Sequence, residues 1–268
     1  MNDRITSMID AYRQARVKLS FLDCNLWIGH PRSPEFVTEF DLASLCQRMK
    51  RYQIRGGVVS HFAAKEYSQI WGNEKLLEAI KGTDLWAGIV LVPEMFESEE
   101  CGRTYLEKAI CRGARLARVF PLSHNLNLRS WCGAGLLRTL VVQHLPLAIW
   151  HTEVSWEEIH SVCDSYPDLT VILEGTPQKI LYHTRRFYPL LEQHSNLKLE
   201  LHNLVNYLGI EDLVNRFGAR CLIFGSYLPV YDPNAVMMQV THARISEKDK
   251  ALIARQNLID LVAGVERL

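Results

Sequence analysis

Eight short apolar runs rich in β-branched residues, each followed by a segment of helical periodicity, limit the folds open to this chain more than any other feature. Strands that recur with a helix between them lie parallel, since a parallel pair needs a long crossover and not a tight hairpin. The predicted strands are Ser20 to Cys24, Gly57 to Ser60, Trp86 to Val92, Leu116 to Phe120, Leu147 to His151, Thr170 to Leu173, Leu197 to Leu201 and Cys221 to Phe224. Helical spacing predicts helices over Glu39 to Arg51, Glu74 to Lys81, Ser98 to Arg112, Gly135 to His144, Ser155 to Ser165, Lys179 to His194, Ile210 to Phe217 and Glu247 to Val265. Turn-rich breaks at Gly56-Gly57, Gly113 and Pro167-Asp168 stand where a helix stops and the next strand begins. Eight strands are the number that closes a barrel. An open doubly wound sheet is the competing architecture, but the first loop carries no G-x-G-x-x-G phosphate cradle. The expectation is an α/β protein, one (βα)8 TIM barrel filling residues 1 to 268 as a single domain.

Composition agrees and narrows the partners. A chain of 268 residues with 48% hydrophobic and 22% charged content can bury the core of one such barrel. Thirty basic residues balance thirty acidic ones, so no net field draws the protein to nucleic acid or anionic lipid. The three basic residues and one aromatic between Lys179 and Arg186 fall at helical spacing and describe an exposed face, not a nucleic-acid patch. The segment from Met1 to Arg16 is too charged for a signal peptide or a membrane span, which sets the expectation of a cytoplasmic protein. Seven cysteines without a C-x-x-C pair predict reduced thiols, most of them in the core.

A barrel of this kind builds its site where strands end, so the residues closing the runs are the candidates. Around the rim they are Asp23, Asn25 and Trp27, then His61, Glu94, Arg118 and His124. They continue with His151, Glu153, Glu174, Glu200, His202, Asn203, Ser226 and Tyr227. His160, His183 and His194 fall on predicted helices and are expected to face solvent. Ser226 lacks a G-x-S-x-G elbow and is a weak nucleophile candidate.

Four stretches carry a resemblance to the amidohydrolase-related family of metal-dependent hydrolases. They are Asp23-Cys24-Asn25-Leu26-Trp27-Ile28-Gly29, Ala117-Arg118-Val119-Phe120-Pro121, Leu147-Ala148-Ile149-Trp150-His151-Thr152 and Leu222-Ile223-Phe224-Gly225-Ser226-Tyr227. The first resembles the family's D-x-H-x-H-x-G opening with both metal-binding histidines replaced, by Asn25 and Trp27. His151 falls on the family's strand-five metal ligand. Glu174 stands where strand six usually ends in histidine, and Tyr227 where strand eight usually ends in a metal-binding aspartate. The closing stretch Ile253 to Leu261, with Asn257 ahead of apolar residues, is similar to the family's last helix. The resemblance implies a metal-dependent-hydrolase-like barrel whose metal site is degenerate.

Two functions follow as expectations. The first is a hydrolase of the amidohydrolase or lactonase kind, or a related decarboxylase, acting on a small polar organic molecule. In it His151 is the base or residual ligand, Glu174 its carboxylate partner, His202 a second imidazole and Tyr227 a hydrogen-bond donor. Asn25, Trp27, Arg118, His61 and His124 would contact substrate, Arg118 as an anion clamp. In its metal form, His151, Glu174 and His202 hold one divalent metal such as zinc, two imidazoles and a carboxylate being a common zinc set. The second is an inactive barrel serving as a ligand-binding or structural subunit, with Trp27 and Tyr227 plugging the mouth and Arg118 paired internally with Asp23 or Glu200. A homo-oligomer is compatible with either. An open polar cavity at the rim favours the first, and a rim closed by Trp27 and Tyr227 the second.

Overall fold

The computed structural model describes residues 2–32, 39–96, 98–175 and 178–266. The eight strands are β1 (Leu22–Ile28), β2 (Gly56–His61), β3 (Trp86–Val90), β4 (Ala114–Val119), β5 (Leu147–Trp150), β6 (Val171–Glu174), β7 (Leu197–Glu200) and β8 (Leu222–Ile223). They form one sheet in sequence order, every neighbouring pair parallel. The ring closes through a Leu26–Leu228 bridge, with Cys24 N donating to Phe224 O at 3.1 Å and Trp27 N to Leu228 O at 2.9 Å. This is the expected (βα)8 barrel.

Helices cover the outside. They are α1 (Asn2–Leu19), α2 (Leu42–Tyr52), α3 (Phe62–Glu66), α4 (Gln69–Ala79), α5 (Glu99–Cys111), α6 (Ser130–Val142) and α7 (Trp156–Ser165). The series continues with α8 (Thr184–Gln193), α9 (Gly209–Phe217), α10 (Asn234–His242) and α11 (Glu247–Ala251), which runs through a π-helical turn, Leu252–Gln256, into α12 (Asn257–Glu266). Several starts are set by a side-chain oxygen that accepts an orphan amide: Asp41 from Ser44 N, Ser98 from Cys101 N, Ser155 from Glu158 N and Ser246 from Asp249 N.

Three helices lie outside the sequence expectation. Helix α1 has few apolar residues in register and is anchored by tertiary bonds, Tyr12 Oη donating to Asn234 Oδ1 at 2.8 Å. Helix α3 is a single short segment capped by His61, and α10 follows a proline-rich turn. Strand β1 runs further than expected: Asn25 to Ile28 are strand, not a loop after it. Its register slips between Asp23 and Leu26, a bulge that re-aims the side chains between them.

Because each strand is covered on both faces, its outward residues pack on helices and its inward ones fill the barrel. Leu26, Ile89, Val119, Ile149, Leu173 and Leu199 belong to the outer core. Inside, three storeys stack along the axis. At the bottom Cys24, Val58, Leu116, Ala148, Ile172 and Ile223 meet Leu258 and Val262 of α12. The middle storey is polar and the top one aromatic. All seven cysteines are free; only Cys24 and Cys163 are buried, while Cys46, Cys101 and Cys111 are exposed, so the expectation that most sit in the core is corrected. Among the described residues no helix is long and apolar enough to cross a membrane.

Candidate functional site

The middle storey is built around Arg118 of β4, whose side chain is 1% exposed. Period-two alternation along Leu116, Arg118 and Phe120 turns all three inward, one per storey. Arg118 Nε donates to Ser60 Oγ at 2.8 Å, one terminal nitrogen donates to Cys24 O at 2.8 Å, and the other pairs with the Glu174 carboxylate. Gly88 makes the room: a methyl group there would strike Ser60 Oγ and come within 3.3 Å of Arg118 Nε. The expected internal ion pair of Arg118 thus exists, but with Glu174 and not with Asp23 or Glu200. Burial raises the Glu174 pKa, and the guanidinium beside it opposes that shift.

The other two carboxylates of this storey bind backbone and neighbours. Asp23 accepts from Asn25 N at 2.9 Å, from Ser226 N at 3.1 Å and from Ser226 Oγ. Burial pushes its pKa up to about 7, against those three donors. Glu200 accepts from His202 N at 2.8 Å and from His202 Nδ1. Ser226, the weak nucleophile candidate, is therefore a clamp between β8 and β1.

Above lies a roof of aromatic rings. Trp27 is 0% exposed and stacks on Phe62, ring centroids 4.6 Å apart. Phe120, Trp150 and Tyr227 surround it at 6.3, 6.0 and 6.1 Å, Tyr227 edge-on. The Arg118 guanidinium carbon sits 5.2 Å from the centroid of Trp27, joining the two storeys. Tyr227 holds a positive φ of 58°, a backbone region few bulky residues adopt, and this turns its ring over the axis. Asn25 accepts the indole N–H of Trp27 at 2.7 Å, so the two residues standing at the family's histidine positions bond each other.

The remaining candidates disperse. His61 caps α3, its Nδ1 accepting from Ala63 N at 3.0 Å, and burial lowers its pKa. His124 ties the loop after β4 to α3 and α4 through Lys65 O at 2.6 Å and Gln69, its ring edge-on to Phe120 of the roof at 5.6 Å. Glu153 accepts from Ser123 N and Oγ at 2.7 and 2.6 Å, Asn203 donates to Gly175 O at 2.8 Å, and Glu94 is exposed. His151 borders the roof beside Trp156 and His183; its Nδ1 lies 3.1 Å from Glu174 O. Its Nε2 is buried without a partner, as are Glu174 Oε1, Trp150 Nε1 and Asn25 Nδ2. Burial lowers the His151 pKa. His194, expected at the surface, is buried and bonded to His160 at 2.8 Å.

The divalent ion implied by the resemblance does not fit these donors. Glu174 is engaged by a fixed guanidinium, which would repel a cation at the same carboxylate. Among the described residues no three His, Cys, Asp or Glu side chains converge as a metal-holding group. Sequence reasoning missed Ser60, Gly88, Phe62, Phe120 and Trp150. The signal that finds them is the inward register of each strand, since Ser60 and Phe62, or Ala148 and Trp150, are two residues apart.

No family model and no curated protein matches the sequence. Solved structures do. An uncharacterised TIM-barrel protein of Bordetella bronchiseptica superimposes with a TM-score of 0.69 at 16% identity, over 98% of this chain and 94% of that one. A dihydroxybenzoic acid decarboxylase of a Polaromonas species, with bound manganese and the inhibitor 2-nitroresorcinol, matches with a TM-score of 0.67 at 15% identity over 91% and 97%. A candidate amidohydrolase of Staphylococcus aureus matches with a TM-score of 0.68 at 12% identity over 91% and 99%. The fold of this chain is therefore the TIM barrel that these structures share.

Proposed function

We propose that this chain is a non-catalytic amidohydrolase-like barrel, a structural subunit whose former reaction centre has become packed interior. The supporting observation is the roof: Trp27, Phe62, Phe120, Trp150 and Tyr227, each no more than 7% exposed, close the strand ends where a substrate would enter. Beneath them Arg118 supplies a permanent organic cation to the acidic middle storey, which removes the need for a metal to balance Glu174. The test is elemental analysis of protein purified without added metal or a histidine tag, with thermal unfolding measured before and after chelator. The expected result is no stoichiometric zinc, manganese or iron and an unchanged Tm. One equivalent of metal per chain that disappears in His151→Ala overturns the reading.

A second reading rests on the partnerless His151 Nε2 and Glu174 Oε1, both buried. It keeps hydrolysis or decarboxylation of a small polar or aromatic acid, with His151 as base and Glu174, His202 and Tyr227 around it. The structural neighbours include decarboxylases of dihydroxybenzoates. Turnover of such acids by the purified chain, lost in His151→Ala with the circular dichroism spectrum intact, would establish it in place of the first.

A further inference from the structure

A cleft of about 1280 Å³ lies outside the barrel between α8 and α9. It runs from Thr184 and Arg185 at the start of α8 to His194 past its end, where it reaches β7 and the short turn before β8. Small-molecule sites occupy roughly 300–1,000 Å³, so the space is ample. Its floor holds a charge where the fold expects none. Alternation along β7 places Lys198 beside Ile172 of β6, in the bottom storey to which the other strands contribute apolar side chains. The stem of Lys198 is half-buried and its ammonium lines the cleft, donating to Arg220 O at 2.8 Å. An ammonium carries three N–H groups, and this one has no second acceptor among the described residues. Burial lowers its pKa, a penalty that a neighbouring anion would offset.

The walls add cations that are held in place with N–H groups to spare. Arg216 of α9 donates through Nε to Asp212 Oδ1 at 2.8 Å, and its guanidinium carbon lies 5.5 Å from the centroid of the Tyr188 ring. Tyr188 Oη donates to the other oxygen of the same carboxylate at 2.7 Å, so Asp212 is already engaged while the terminal nitrogens of Arg216 are not. Arg220 gives one terminal nitrogen to Asp260 at 3.1 Å, and Arg185 has no carboxylate partner among the described residues. Four cationic side chains thus line the cleft against two carboxylates, Asp212 and Glu192. We propose that this cleft binds a small organic anion carrying two or more negative charges, with Lys198 as its anchor and Arg216 and Arg220 as its clamps. A guanidinium offers paired N–H groups to phosphate and carboxylate oxygens alike. The competing role for these cations is to offset the carbonyl ends of α8 and α9, which finish at the same end of the cleft. The site stands apart from the strand ends and goes beyond the function proposed for them.

The test is isothermal titration calorimetry of the full chain with pyrophosphate, and with citrate to separate phosphate from carboxylate chemistry. Pyrophosphate is expected to bind at one site per chain, and more weakly as salt is raised. Lys198→Met and Arg216→Gln should each weaken binding by about tenfold or more, the loss of one charge-assisted hydrogen bond. Lys81→Met, which removes the same charge from an exposed position elsewhere, should leave binding unchanged. Arg216 lies at the surface, so its variant keeps the test decisive should Lys198→Met disturb the barrel. Amide exchange gives a second readout: pyrophosphate should slow residues 194–198 and 216–221 and leave β4 to β6 as they were. Citrate bound in preference to pyrophosphate keeps the site and makes its ligand a polycarboxylate. The proposal is overturned if neither anion binds, or if binding survives both cleft variants. A wild type that binds neither anion, with a lower Tm in Lys198→Met, would assign these cations to the helix ends instead.

Discussion

Asp23 shows how a residue can keep its place in a motif and change its work. Its carboxyl group, pushed by burial up to about 7, is held by Ser226 and the Asn25 amide and ties β8 to β1. Below its ordinary value of 3.8 the group is protonated in folded and unfolded chains alike. Between there and about 7 the unfolded chain gives up the proton while the folded one keeps it, so stability falls as pH rises through that window. Asp23→Asn mimics the protonated form, its amide donating to Ser226 Oγ while its oxygen accepts the two backbone amides. Urea unfolding at a series of pH values should show a contribution that declines from pH 4 to 7 in the wild type and is flat in Asp23→Asn. A difference curve that rises with pH would disprove the protonated state. The Arg118–Glu174 pair behaves differently, because each charge exists only with its partner. Arg118→Met strands a buried carboxylate and should cost about 3–5 kcal/mol, most of which Arg118→Met/Glu174→Met should recover. That Arg118 would pair inside the barrel was legible from its place on a strand. Which carboxylate it takes was not, because the choice depends on the tilt and stagger of strands that are far apart in sequence.

Among the elements, the strands were legible because burial on both faces writes them as apolar runs, and the helices because amphipathic spacing marks their inner face. The misplaced pieces share a cause. Strand β1 carries Asp23, Asn25 and Trp27, a mixture that reads as rim loop until β2 and the segment after β8 take its backbone bonds. Helix α1 has no strong stripe and relies on Asn234 across the fold. Asparagines clamp two of the strands. Asn73 of α4 holds Val90 at the end of β3, donating to its carbonyl at 2.7 Å and accepting its amide at 2.8 Å. Asn257 at the start of α12 donates to Ala219 O and Leu222 O at 2.8 and 2.7 Å, fixing the closing helix under β8. Asn257→Ala leaves buried carbonyls without a donor and should destabilise the barrel by about 1–3 kcal/mol. The denaturant midpoint should move with the slope unchanged; a shift below a few tenths of a kcal/mol would show that α12 is held by its apolar packing alone.

At the scale of the whole molecule, the weak line is where the ring closes. Strand β8 has two residues, pairs with β7 at only Leu199–Leu222 and Glu200–Ile223, and meets β1 through one bridge and a few backbone bonds. By contrast β5 and β6 are aligned at four successive positions. Cooperative opening should therefore begin at the β8–β1 seam, since local openings start where the fewest bonds and contacts must break. Ser226 is the seam's stitch, its hydroxyl hydrogen-bonded to Asp23 while accepting Leu228 N at 3.1 Å. Behind the seam lie Trp27 and Tyr227, so the same stitch holds the roof shut. Amide exchange of the wild type should be faster along β8 and at Trp27 than in β4 to β6. Ser226→Ala should accelerate β8 and β1 selectively, by about tenfold for each 1.4 kcal/mol lost locally, without changing β4 to β6. Uniform acceleration of all strands would mean that the ring opens only by global unfolding and that the roof is closed as firmly as the rest of the barrel.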